Sequence, residues 1–147
     1  MSTDGHRWAL ITTDEYEKRP EKVDDGEFIH KELTHRIIGA AFAVHNALGC
    51  GFLEKVYENA LIRELQLEGV TVETQKSFTI CYRGIEVGTY VADLVVNGTI
   101  IVEVKALDQL ADPHRAQLLN YLRISGLRLG LLLNFGTTKV QYERLIC

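Results

Sequence analysis

The chain has 147 residues, of which 46% are hydrophobic, 24% charged and 8% aromatic. This is ordinary globular composition, and it excludes a wholly disordered, collagenous or disulfide-built chain. The formal net charge of -4 argues against a protein that coats nucleic acid through bulk positive charge. A nucleic-acid enzyme stays open, because acidic metal ligands lower the formal charge and their metal restores it. Cys50, Cys81 and Cys147 form no CxxC pair, so a zinc site and a disulfide framework are poor readings and reduced thiols in the cytoplasm fit better. No apolar signal-like run opens the chain, and the longest apolar run, Ile37 to Val44, is too short to span a bilayer. No membrane partner is expected.

Residues 1–28 hold eight acids against four bases and so carry the whole net charge. They read as an acidic N-terminal arm outside the main domain at 29–147. Trp8, Leu10 and Ile11 are placed to pin this arm to the body or to a second subunit. A mobile tail is the plainer alternative.

From about Glu27 the apolar positions Leu33, Ile37, Ile38, Ala41, Phe42, Val44 and Leu48 predict a helix. It closes at Gly49-Cys50-Gly51, where glycines suit a C-cap and turn. A second helix is expected over about Leu53–Leu67, with Tyr57, Ala60, Leu61 and Leu65 on its buried face. The period then changes to two. Val70–Tyr82, Ile85–Val96 and Thr99–Ala106 read as three strands joined by turns at Arg83-Gly84 and Asn97-Gly98. The third is apolar on both faces, as a central strand should be. Asp112-Pro113 opens a helix that runs to Ser125 and stops at Gly126. Strands at Leu129–Phe135 and Val140–Ile146 complete an order that suggests an α/β or α+β sheet flanked by helices.

Charge in places that should be apolar marks the candidate site. Glu103 and Lys105 lie two apart in the most hydrophobic strand, and period two puts them on one face. Buried charges are costly unless paired or bound to metal, and taken alone this pair reads as a structural ion pair or as an edge-strand face open to water. Asp93 lies in the preceding apolar strand. A two-residue turn at Asn97-Gly98 sets Asp93 opposite Val102 and turns Glu103 to the other face. A three-residue turn, or one bulge, brings both carboxylates to one face. The metal-site reading therefore depends on that turn. Glu54 shares a helical face with Tyr57 and Leu61, although a helix-capping acid is the plainer reading of it alone. Together, three carboxylates can hold Mg²⁺ or Mn²⁺ through oxygen. A neighbouring lysine can orient or deprotonate an attacking water, or stabilise charge on a phosphate. That is the toolkit of metal-assisted phosphodiester hydrolysis.

The stretch Gly51-Phe-Leu-Glu54-Lys-Val-Tyr57 resembles the signature of the GxxExxY family. Asp93, followed ten residues later by Glu103-Val-Lys105, is similar to the PD-(D/E)XK nuclease core. Gln117-Leu-Leu-Asn-Tyr121 resembles the QxxxY motif of one branch of that superfamily. The likeness covers about residues 29–147, and Ala92 stands where the superfamily's name has proline. It implies a restriction-endonuclease-like αβββαβ core with a mixed sheet, α/β in class, plus an N-terminal extension. It further implies that Asp93 and Glu103 ligate the metal, joined by the Val104 carbonyl, that Glu54 completes the acidic cluster, and that Lys105 is the catalytic lysine. Gln117 and Tyr121 would support the site or touch the substrate backbone, ordinary helix packing being their plainer reading.

His45 resembles the histidine of the family's Val-His-x-x-Leu-Gly stretch but reads better as a satisfied core or capping residue. His114 opens the helix after the core. Lys76, Arg83, Arg115, Arg123 and Arg128 are candidate phosphate contacts, with solvation as the default for each. The expected activity is Mg²⁺- or Mn²⁺-dependent cleavage of nucleic acid, DNA rather than RNA, by a homodimer or with a partner protein. The rival expectation is a catalytically silent interaction or assembly module on the same fold.

Overall fold

The computed structural model describes residues 10–11 and 25–147. In chain order the elements are β1 (Leu10–Ile11), α1 (Asp25–Leu48), α2 (Glu54–Leu67), β2 (Val72–Tyr82), β3 (Ile85–Val96), β4 (Ile100–Lys105), α3 (Asp112–Ser125), β5 (Leu129–Asn134) and β6 (Gln141–Ile146). The sheet order is β1-β6-β5-β4-β3-β2. Only β4 and β5 run parallel, joined through α3, and every other pair is antiparallel. This is the mixed α/β sheet expected from the sequence. Leu10 and Ile11 pair with Leu145 and Arg144 of β6. Trp8 and most of the arm lie outside the described residues, and α1 begins at Asp25, inside the segment read as arm.

The helices cover both faces of the sheet. On one side Ile37, Ala41 and Val44 of α1 and Tyr57, Leu61 and Leu65 of α2 pack on Val102, Val104, Leu131 and Leu133. On the other, Leu118 and Leu122 of α3 pack on Ile101, Leu132 and Leu145. Covering both faces explains why β4 and β5 lack simple alternation. A Cβ built on Gly130 of β5 would lie 3.1 Å from Leu118, so glycine lets α3 settle closely on the sheet. Phe42 and Leu48, expected in the buried stripe of α1, are exposed instead. Phe42 meets Tyr142 edge-on at 6.2 Å.

The turn between β3 and β4 decides the site. It has three residues, Asn97, Gly98 and Thr99, not two, because Val96 pairs with Ile100 and Leu94 with Val102. Asn97 and Gly98 take φ of 52° and 69°, conformations that asparagine and glycine tolerate. Continuing this register one step brings Asp93 level with Glu103. A second irregularity lies at the same height. Tyr90 and Ala92 face α3, whereas Leu94 and Val96 face α1 and α2, so the alternation of β3 reverses at Asp93. On β2 the residue skipped in the ladder there is Gln75, with φ 49°.

Candidate active site

Where the β3–β4 ladder ends, Glu103 holds the Asp93 backbone and Asp93 holds the Val104 backbone. The Asp93 N–H donates to Glu103 Oε2 at 3.3 Å, and the Val104 N–H donates to Asp93 Oδ2 at 2.9 Å. The Tyr90 hydroxyl donates to Glu103 Oε2 at 2.5 Å. One oxygen of each carboxylate, Asp93 Oδ1 and Glu103 Oε1, is left without a hydrogen bond from any described residue. Glu103 is only 7% exposed. Burial, then the charge of Asp93, pushes its pKa up to about 7. Burial also raises Asp93, aided by the charges of Glu58 and Glu54 and opposed by the Val104 N–H and by Lys105. Two desolvated carboxylates with their spare oxygens together form a hard-donor set that a divalent cation would relieve. Among the described residues no three His, Cys, Asp or Glu side chains stand together as a complete metal cluster. The desolvated Asp93–Glu103 pair, with a spare oxygen on each carboxylate, has the chemistry that suits a hard divalent cation.

Lys105 ends β4, half-buried, and its charge lowers the pKa of both Asp93 and Glu103. Its strand end is well anchored. The Phe135 N–H donates to the Lys105 carbonyl at 2.8 Å, and Lys105 pairs with Asn134 across the parallel ladder. Tyr121 stacks on Tyr90 with centroids 3.5 Å apart, which places it at Glu103 by way of Tyr90. Gln117, one turn earlier on α3, is exposed and makes no hydrogen bond to a described residue.

The Gly51–Tyr57 stretch is chiefly a turn lock. Gly51 takes φ 114°, which disfavours a side chain. The Tyr57 hydroxyl donates to the Gly49 carbonyl at 2.5 Å and accepts from the Phe52 N–H at 3.2 Å. Its ring stacks on Phe135 at 4.8 Å. Glu54 is exposed in the first turn of α2. Glu58, four residues on and so on the same helix face, is 5% exposed. It accepts from Gln75 Nε2 at 2.8 Å and from Lys55 Nζ at 3.2 Å. Glu58 is not among the candidates the sequence marks, although its spacing from Glu54 is a usable signal, and neither is Tyr90.

His45 is satisfied in the core: its Nε2 meets the Thr137 carbonyl at 2.9 Å and its ring stacks on Phe135. His114 Nδ1 accepts from the Ala111 N–H at 3.0 Å and caps α3. Arg115 is tied to Glu143 and Asp112. Lys76 pairs with Glu73 at 2.9 Å, and Arg83 donates to the Tyr82 hydroxyl. Arg123 and Arg128 carry charges that act on Cys147. Among the described residues no helix is long and apolar enough to cross a membrane.

A mixed sheet with helices on both faces, and an Asp, a Glu-x-Lys and their backbone contacts at its centre, define a nuclease-like α/β domain. The chain matches the PD-(D/E)XK nuclease superfamily over residues 31–145 and belongs to it. No curated protein matches the chain. Among solved structures it is similar to one described as "Crystal structure of SSO0001", with 17% identity, 90% of this chain and 72% of that chain covered, and a TM-score of 0.48.

Proposed function

We propose that this protein hydrolyses phosphodiester bonds in nucleic acid, DNA rather than RNA, with Mg²⁺ or Mn²⁺. The observation that carries this reading is the pairing of Asp93 with Glu103, each with a spare carboxylate oxygen, beside Lys105. Membership of the PD-(D/E)XK nuclease superfamily supports it. Asp93 Oδ1, Glu103 Oε1 and the Val104 carbonyl would hold the cation. When bound, such an ion polarises the phosphate and lowers the pKa of water.

The protein's own groups do the rest. The Asp93 and Val104 N–H bonds fix both carboxylates before substrate arrives, so little reorganisation is needed at the moment of reaction. The Lys105 ammonium offsets charge on the phosphate and orients the attacking water. Glu58, and less strongly the exposed Glu54, add negative charge beside Asp93. Gln117 and Tyr121 line the α3 side, where Gln117 is free to meet a sugar-phosphate backbone. The Gly51-Phe-Leu-Glu54-Lys-Val-Tyr57 spacing supports placing the chain in the GxxExxY branch.

The test is a cleavage panel of single-stranded, double-stranded and flapped DNA and of RNA, with Mn²⁺ or with EDTA, comparing wild type with Lys105→Ala. Metal-dependent cutting that disappears in Lys105→Ala is the expected result. Equal cutting by both proteins would overturn the assignment of Lys105. No cutting by either, with no Mn²⁺ binding in a titration, would leave the silent interaction module as the better reading.

A further inference from the structure

We propose that Tyr90 is a positioning residue for Glu103, and that Tyr121 acts on the site through Tyr90 rather than by its own hydroxyl. This inference rests on the metal-dependent reading of the site. Tyr90 is buried in β3, three residues before Asp93. Its hydroxyl donates to Glu103 Oε2 at 2.5 Å. The same oxygen accepts the Asp93 N–H at 3.3 Å. Two donors on one oxygen fix the rotation of the carboxylate and direct the other oxygen, Oε1, away from both. Hydrogen bonds to an ionised acceptor are short and strong, and outer-shell donors of this kind orient metal-ligating carboxylates.

The Tyr90 ring is held in turn. It stacks on Tyr121 of α3 with centroids 3.5 Å apart and an interplanar angle of 14°. It also stacks on Phe78 of β2 at 5.8 Å and 16°. Tyr121, half-buried, has no hydrogen bond to a described residue through its hydroxyl. What it offers the site is its ring face. Helix α3 is therefore linked to the carboxylate through one stack and one hydrogen bond, in the order Tyr121, Tyr90, Glu103.

The arrangement needs the reversal of alternation at Asp93. Without it Tyr90 and Asp93 would point to opposite faces, as residues three apart in a regular strand do. With it, the hydroxyl of one and the carboxylate of the other converge on the β4 segment Glu103-Val104.

The experiment is an isothermal titration of Mn²⁺ into wild type, Tyr90→Phe, Tyr121→Phe and Tyr121→Ala, each checked by circular dichroism and melting. Cleavage rates against Mn²⁺ concentration are measured alongside. Tyr90→Phe keeps both stacks and loses only the hydroxyl. It is expected to weaken Mn²⁺ binding by about tenfold or more, as outer-shell losses do, and excess Mn²⁺ should restore most of the rate. Tyr121→Phe keeps the stack and should keep the Mn²⁺ affinity, whereas Tyr121→Ala should weaken it. Wild-type Mn²⁺ affinity in Tyr90→Phe would overturn the inference and leave the nuclease reading intact. Loss of binding in Tyr121→Phe would overturn the indirect role of Tyr121. If Tyr90→Phe fails to fold, Tyr121→Ala decides, and unchanged affinity there overturns the proposal. A wild type that neither binds Mn²⁺ nor cuts would defeat the nuclease reading, and this inference with it.

Discussion

Asn134 holds the Leu107 peptide by both of its polar groups. Its Oδ1 accepts the Leu107 N–H at 2.8 Å and its Nδ2 donates to the Leu107 carbonyl at 3.0 Å. The same side chain accepts the Gly136 N–H at 3.1 Å and donates to Gln141 Oε1 at 3.0 Å. Asn134 is fully buried, and every one of these bonds replaces a contact with water. The clamp sits two residues beyond Lys105 and fixes the path of the chain as it leaves β4. Asn134→Ala removes four hydrogen bonds at once, three of them to the half-buried backbone of Leu107 and Gly136, each worth roughly 1 kcal/mol net. The expected outcome is a loss of about 3 kcal/mol in urea denaturation, with a lower cleavage rate in the fraction still folded. A shift under about 0.5 kcal/mol, the scale of a neutral surface change, would show that the clamp is idle.

Gly136 packs tightly against that same segment. A Cβ there would stand 2.3 Å from the Leu107 carbonyl oxygen and 2.5 Å from its nitrogen, both backbone atoms. Neither atom can swing aside as a side chain would. Gly136→Ala must therefore displace the Ala106–Leu107 backbone and the Lys105 carbonyl bonded to Phe135. Overpacking of this kind costs about 1–3 kcal/mol or more. The melting temperature and the single-turnover cleavage rate should fall together. A variant with normal melting and normal rate would show that the loop yields freely.

Much of this was legible in the sequence, for reasons that differ by residue. The α3 boundaries follow from Asp112-Pro113 and Gly126, which are local signals. The centrality of β4 follows from its continuous apolar run, broken only by Glu103 and Lys105. The pairing of Asp93 with Glu103 was readable as a condition, since it depended on the turn length, and the three-residue turn meets it. The role of Tyr90 was not readable. Regular alternation would have sent it to the face opposite Asp93, and the reversal at Asp93 and Gln75 is a backbone event with no local marker. Asn134 and Gly136 were hidden for another reason: their partners lie about thirty residues away in the chain, at Leu107.

The raised pKa of Glu103 makes stability depend on pH. Its ordinary value is 4.5 and its folded value about 7. Between these the folded state holds a proton that the unfolded chain has released, so stability falls as pH rises across the window. Asp93, also raised by burial, acts in the same direction. In EDTA the melting temperature should therefore drop from about pH 4.5 to about 7, by several degrees for a change on the order of a few kcal/mol. Glu103→Gln keeps an acceptor for Tyr90 and the Asp93 N–H and should flatten the slope. Mn²⁺ added above pH 7 should restore the melting temperature of wild type, but not of Asp93→Asn. A flat wild-type profile in EDTA would contradict the burial of a charged Glu103.

Glu58 and Glu54 compete for the place of the third acid. Both lie on α2, four residues apart, and both raise the pKa of Asp93, with Glu58 the stronger influence. Glu54 is exposed, whereas Glu58 is buried and fixed by Lys55 and by Gln75, the residue whose φ of 49° lies level with Asp93. A fixed, desolvated carboxylate acts more strongly on a neighbouring site than one moving in water. Glu58→Gln should therefore slow single-turnover cleavage in Mn²⁺ by roughly 10–100-fold, as outer-shell losses do. Glu54→Gln should cost well under tenfold, and thermal melts should show both variants folded. Gln75→Ala removes the donor to Glu58 and should move the rate in the same direction as Glu58→Gln, by less. The reverse order, with Glu54→Gln the more damaging, would return the third acidic role to Glu54 and leave Glu58 as a structural tie between α2 and β2.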